Sequence, residues 1–256
     1  MQTYKDIKVS LKLHTALIKI NRPPHNYFDS NVINQIANFL EEMDKNKECR
    51  SIILYSEGKN FCAGANFNEI TYSRGGNIYS ELYEQALRLF KTKKPIIAII
   101  QGAAIGGGLG LALAADFRIA CKESRFSANF GKLGFHQGFG ITVTLPRTIG
   151  KQKAKWMLLT SNRVKGEKAL EIGLADYFVK KNDLMAKAIS LSNIINSSGP
   201  LGIESIRNTL NIGLVKILSE TMKNEALEQN KLKETNDFNE GIKASLERRE
   251  PKFKRN

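Results

Sequence analysis

Three adjacent glycines, Gly106-Gly107-Gly108, inside the apolar stretch Ile100–Ala112, restrict this chain more than any other feature. In a helix interior each would cost roughly 1 kcal/mol relative to alanine. The β-branched run Ile96-Ile97-Ala98-Ile99-Ile100 precedes them and Leu109–Leu113 follows. The segment therefore predicts a buried strand, a glycine turn and a buried helix. The competing parse is a membrane span: Ile96–Ala115 contains only Gln101 as a polar residue, and Gly102, Gly106 and Gly110 stand at GxxxG spacing. Pro95 and the glycines favour the first parse, and no membrane partner is expected. Adjacent glycines also free backbone N–H groups to point at a ligand. A second small-residue turn, Phe61-Cys62-Ala63-Gly64-Ala65-Asn66-Phe67, lies upstream. Together the two turns look like the halves of an oxyanion hole built from backbone donors.

The chain has 256 residues and is 42% hydrophobic, enough for one large domain or a domain with an appendage. Its 39 Lys and Arg against 25 Asp and Glu leave a formal charge of +14. Such a balance suits a polyanion, an acidic small ligand or a solvated surface; the scatter of pairs such as Lys93-Lys94 and Lys180-Lys181 favours the last. Cys49, Cys62 and Cys121 are too few and too unevenly spaced for a disulfide framework or a zinc site. With no secretory or organelle address at the start, a cytoplasmic location is expected.

Period-two alternation over Ile7–Leu13 and the run Ala16–Ile20 predict a hairpin. Ser30 is expected to cap a helix with Val32, Ile33, Ile36, Phe39, Leu40 and Met43 on one face. Strands follow at 51–55, 96–100, 117–120 and 177–179, with helices near 141–149, 151–160 and 166–174. Beyond Asp183 only helices are expected, at 184–195, 203–218, 222–232 and 236–249. The shift at Asn196-Ser197-Ser198-Gly199-Pro200 divides an α/β core, 1–196, from a helical C-terminal subdomain, 197–256. The glycine cluster fits neither GxGxxG nor GxxxxGK[ST], so dinucleotide and P-loop sites are not expected.

Four segments together resemble the crotonase, or enoyl-CoA hydratase/isomerase, superfamily: Phe61–Ala65, Gln101–Gly108, Asp116-Phe117-Arg118-Ile119-Ala120 and Leu145-Pro146-Arg147-Thr148-Ile149-Gly150. The tail from Asp237 through Phe253 is similar to the family's closing helix and basic-aromatic stretch. The resemblance implies an α/β fold of the ClpP/crotonase type, a spiral of ββα units with a C-terminal helical trimerisation subdomain, assembled as a homotrimer or a hexamer of two trimers. It implies an acyl-CoA substrate, with the coenzyme A thioester bound as substrate and no other cofactor or metal. The shared step would be stabilisation of a thioester enolate by the N–H groups of Ala65 and Gly107. Acyl-CoA contacts would come from Arg22, Ala63, Ala65, Asn66, Phe67, Gly106, Gly107, Gly110, Asn129, Phe130, Gly134, Phe253 and Lys254.

By the same resemblance a hydratase would carry glutamates where this chain has Gly110 and Phe130, and neither residue can transfer a proton. His136 is the first candidate to substitute as acid or base, with Asn66 and Glu69 as weaker ones. Asn129 and Gln137 come after them. Cys62 reads as a small packing residue or a nucleophile, and His14 and His25 as surface residues. The expected function is an enolate-stabilising lyase or isomerase of fatty-acid-type thioester metabolism, with unusual acid–base groups. Three alternatives stand beside it: a decarboxylase or C–C lyase of the polyketide type, a catalytically inactive CoA-binding member, and an RNA-binding member. The last lacks an interleaved aromatic and basic motif, and nucleic acid is not expected as a partner.

Overall fold

The computed structural model describes residues 3–65 and 78–256. Strands β1 (Ile7–Lys12) and β2 (Thr15–Ile20) form the antiparallel hairpin, and helix α1 spans Ser30–Lys45. The N-cap is Asp29, not Ser30: the Asp29 carboxylate accepts from the Val32 N–H at 2.9 Å, which places the first helical residue at Ser30. Strand β3 (Ser51–Ser56), helix α2 (Ile78–Leu89), strands β4 (Ile96–Ile100) and β5 (Ala103–Ile105), helix α3 (Gly107–Leu113) and strands β6 (Phe117–Ala120) and β7 (Arg125–Ser127) follow. Helices α4 (Ile141–Ile149) and α5 (Lys151–Thr160), strand β8 (Arg163–Lys165), helix α6 (Gly166–Glu171) and strand β9 (Tyr177–Phe178) complete the α/β part.

One sheet runs β1-β2-β3-β4-β6-β9, parallel from β2 onward, and a smaller one runs β5-β7-β8. Alternate residues of the larger sheet serve two apolar layers. Ile52, Leu54, Ile96, Ala98 and Ile100 face the main core with α1 and α3, while Ile53, Ile97 and Ile99 pack with Ile119 against Leu184, Ala188 and Leu191. Burial on both faces explains why β4 is apolar throughout. Among the described residues no helix is long and apolar enough to cross a membrane.

The C-terminal part is helical: α7 (Leu184–Asn196), α8 (Pro200–Leu210), α9 (Leu214–Leu232) and α10 (Asn236–Glu247). The sequence predicts one helix over 203–218 where the structure has two. Gly213 takes the left-handed conformation at φ 76°, ending the run so that α9 starts afresh at Leu214. The short strands β5, β7 and β8 were hidden from periodicity because three residues are too few to show it.

Candidate active site

Backbone pairing brings the two small-residue turns together. The Cys62 N–H donates to the Ala103 carbonyl at 2.8 Å and the Ile105 N–H to the Cys62 carbonyl at 3.1 Å. Residues Phe61–Ala65 therefore run beside β5, and Ala65 lines the same cavity as Gly106 and Gly107. Phe28 closes the arrangement from a third direction. Its N–H donates to the Gly64 carbonyl at 3.1 Å, it bridges Ala65, and its ring fills the place a side chain at Gly107 would take. Glycine is required at 107 by that close approach. Gly106 is held by its N–H to the Ser127 carbonyl at 2.8 Å. The N–H groups of Ala65 and Gly107 donate to no acceptor among the described residues, and both residues line the same cavity. Gly107 opens α3, where first-turn amides and the helix dipole favour negative charge.

The cavity is small, about 60 Å³, and mostly apolar. Phe28, Phe130, Phe135, Phe139, Leu82 and Leu133 form its hydrophobic wall, with Ala63, Gly64 and Gly106 beside the two donors. Phe28 and Phe139 meet edge to face, their ring centroids 5.6 Å apart. The polar lining is Asn129, Tyr83 and Gln229. The Tyr83 hydroxyl donates to Gln229 Oε1 at 2.6 Å, and Gln229 Nε2 donates to the His136 carbonyl at 2.9 Å. Tyr83 is the one ionisable side chain among the described lining residues.

The expected residues separate into three groups. Ala63, Ala65, Gly106, Gly107, Asn129 and Phe130 come together on the wall. Asn66, Phe67 and Glu69 lie outside the described residues. The rest are elsewhere. Gly110 is buried behind Phe139 instead of facing the cavity: a Cβ added there would lie 2.6 Å from the Phe139 Cβ. Gly134 packs on the backbone of Asp237, where an added Cβ would be 2.7 Å from the carbonyl oxygen. Arg22 is committed to Asp29 at 2.8 Å and Asp6 at 3.5 Å. Phe253 and Lys254 belong to a tail tied to α10, the Lys254 N–H donating to Asp237 Oδ1 at 2.7 Å. Gln137 bonds Thr142 at 3.1 Å.

His136 is likewise not a lining residue. Its Nδ1 lies 2.7 Å from the Gln137 carbonyl. The cause is the anchoring of its loop. Fully buried Glu225 accepts from the Gly140 N–H at 2.8 Å and from the Thr142 N–H and hydroxyl at 3.1 and 2.6 Å, while Gln229 holds the His136 carbonyl. Burial pushes the Glu225 carboxyl above the ordinary range, against the lowering effect of those donors. Cys62 is fully buried and its thiol is pushed up to about 12 by desolvation, which leaves it a packing residue rather than a thiolate nucleophile.

Phe28, Tyr83, Phe139 and Gln229 were missed by sequence reasoning. Each reaches the cavity from a distant segment, and apolar or amide side chains carry no spacing signal. Phe139 offers one partial clue: it lies between Gly138 and Gly140, and it adopts φ 62°, a left-handed conformation. Among the described residues no group of three His, Cys, Asp or Glu is placed to hold a metal ion.

The sequence profile of the enoyl-CoA hydratase/isomerase family matches residues 12–256. A probable enoyl-CoA hydratase of Bacillus subtilis (strain 168) is 33% identical over 253 residues, covering 97% of this chain and 98% of the relative. A crotonyl-CoA hydratase of Syntrophomonas wolfei is 29% identical over 255 residues, covering 98% of each chain. The fold matches the crystal structure of an enoyl-CoA hydratase/isomerase from Pseudoalteromonas atlantica T6c at a TM-score of 0.88, with 24% identity over 98% of this chain and 100% of that one. Profile, relatives and architecture agree: the chain belongs to the enoyl-CoA hydratase/isomerase family, within the crotonase superfamily.

Proposed function

We propose that the protein binds an acyl-CoA thioester and stabilises its enolate, holding the thioester oxygen between the N–H groups of Ala65 and Gly107. The carrying observation is that these two donors, without acceptors among the described residues, line one apolar cavity. As the α-carbanion forms, its electron pair delocalises onto the thioester oxygen, and two fixed donors in a dry site meet the developing charge without reorganising. One such donor is worth about 10² to 10³ in rate. Names of the relatives support a lyase or isomerase acting on acyl-CoA.

The wall favours a route that needs no carboxylate base. By the family resemblance a hydratase would carry glutamates at Gly110 and Phe130, and none of the described lining residues is a carboxylate or an imidazole. Glu69 and Asn66 remain candidates for proton transfer from the sequence. A second reading fits the wall directly: decarboxylation or C–C cleavage. There the bond from the α-carbon to the departing carbon breaks, its electron pair enters the enolate, and a proton from water later quenches it. An apolar wall of four phenylalanines disfavours a bound carboxylate relative to its neutral product.

Incubation with crotonyl-CoA and with malonyl-type thioesters tests both. Turnover of crotonyl-CoA supports hydration; release of CO₂ without hydration supports the second reading; no binding to any CoA thioester in calorimetry rejects both.

We also propose assembly as a homotrimer or a hexamer of two trimers. Leu201, Ile206 and Leu210 of α8 and the adjoining Ile212 are all exposed, an apolar face typical of a buried contact. Its three free cysteines, all buried, suit a reducing cytoplasmic compartment. Sedimentation at equilibrium reads the assembly, and a monomer would refute it.

A further inference from the structure

Helix α5 presents a surface that the fold does not explain. At about 100° per residue, Ala154, Met157 and Leu158 form its inward arc. Opposite them, at the centre of the solvent arc, stand Leu159 and Trp156, 83% and 45% exposed, with exposed Gln152 in line with them one turn earlier. Lys151 and Lys155 flank this centre on one side and Lys153 on the other, all exposed. The helix carries no acidic residue, and the strand that follows, β8, carries exposed Arg163 and Lys165. None of these cations pairs with a carboxylate among the described residues. Lys151 and Lys153 also lie in the first turn, where the helix dipole favours anions. Local helix stability therefore does not account for them.

We propose that α5 is a docking face for an anionic lipid surface. Trp156 and Leu159 would enter the boundary between headgroups and acyl chains, and the lysines would lie against anionic headgroups with their stems along the apolar centre. An apolar centre inside a cationic rim is what selects this occupant. A nucleic acid would engage the cations and could stack on Trp156, but it offers nothing apolar to aliphatic Leu159. A second copy joined isologously through the same face would set lysines against lysines, and a heterologous contact with another face of a second copy is an outcome of the test below. The sequence-based expectation of no membrane partner concerned a spanning segment; a surface contact needs none, and only the folded helix puts Trp156 and Leu159 side by side at its crest.

Trp156 is the single tryptophan of the chain, so its emission reports on this patch alone. The protein is mixed with vesicles of phosphatidylcholine, with or without phosphatidylglycerol, at low and high salt. Expected are a blue shift and co-sedimentation with the anionic vesicles only, both reduced by salt. Lys151→Gln and Lys155→Gln should each weaken partitioning about fivefold. The pair Trp156→Ala and Leu159→Ala should abolish co-sedimentation while circular dichroism stays unchanged. Unshifted emission without co-sedimentation at low salt overturns the proposal. So does a blue shift that follows protein concentration without vesicles, which assigns the patch to contact between copies. Salt-sensitive retardation of RNA without vesicle binding overturns it in favour of a nucleic acid.

Discussion

Phe139 occupies the space that a side chain at Gly110 would need: an added Cβ would sit 2.6 Å from the Phe139 Cβ and 2.7 Å from its Cδ1. The two positions are coupled, one small because the other is large, so an acid on α3 cannot simply be restored. Gly110→Ala is expected to destabilise the fold by about 1–3 kcal/mol through overpacking, and the same change made in a Phe139→Gly background should cost less, because the clashing Cβ and ring are gone. Urea unfolding of the single and double variants checks this coupling.

The loop carrying Phe139 hangs on Glu225. Burial raises the folded-state pKa of this carboxyl, so within the window above the ordinary carboxylate pKa the native state binds its proton more tightly than the unfolded chain does. Stability contributed by the protonated form is then present at low pH and lost as pH rises through the folded-state value. Relative to Glu225→Gln, which does not titrate, the native protein should lose stability as pH climbs from about 4.5. Thermal unfolding of the pair across pH measures it; a difference that grows in the native protein's favour would reverse the sign.

Removing the Tyr83 hydroxyl should leave Gln229 Oε1 without its 2.6 Å donor at a buried site. Tyr83→Phe is expected to cost about 1–3 kcal/mol and to weaken acyl-CoA binding, because Gln229 also fixes the loop through the His136 carbonyl. Chemical denaturation and calorimetry read the two effects separately.

His136→Ala should leave turnover far from the factor of about 10² to 10⁴ expected of a positioned acid or base. His136 does not line the cavity, and its Nδ1 lies 2.7 Å from the Gln137 carbonyl. Steady-state kinetics across pH decides: a loss of that size, with one limb of the pH profile gone, would return His136 to the chemistry.

Much of this site was legible in the chain. The glycine run and the Phe61–Phe67 turn announced backbone donors because few side-chain combinations produce two such turns after strands, and Gly107 and Ala65 do line one cavity. The β1–β2 hairpin and the fully apolar β4 followed from period two and β-branching. What escaped is tertiary. Phe28 and Phe139 converge on Gly107 and Gly110 from segments remote from α3, and no periodicity encodes that meeting. His136 looked catalytic from its residue type and its loop, but that loop is held away from the cavity lining by Glu225 and Gln229 on α9, about ninety residues later.

The most direct measurement is the carbonyl stretch of a thioester bound in the cavity, recorded by isotope-edited infrared difference spectroscopy with a ¹³C-carbonyl acyl-CoA. Two donors converging on that oxygen should polarise the bond and lower its frequency relative to the free thioester, and Ala65→Pro, which removes one N–H, should give back part of the shift. A bound thioester with an unshifted stretch would contradict the oxyanion hole at Ala65 and Gly107.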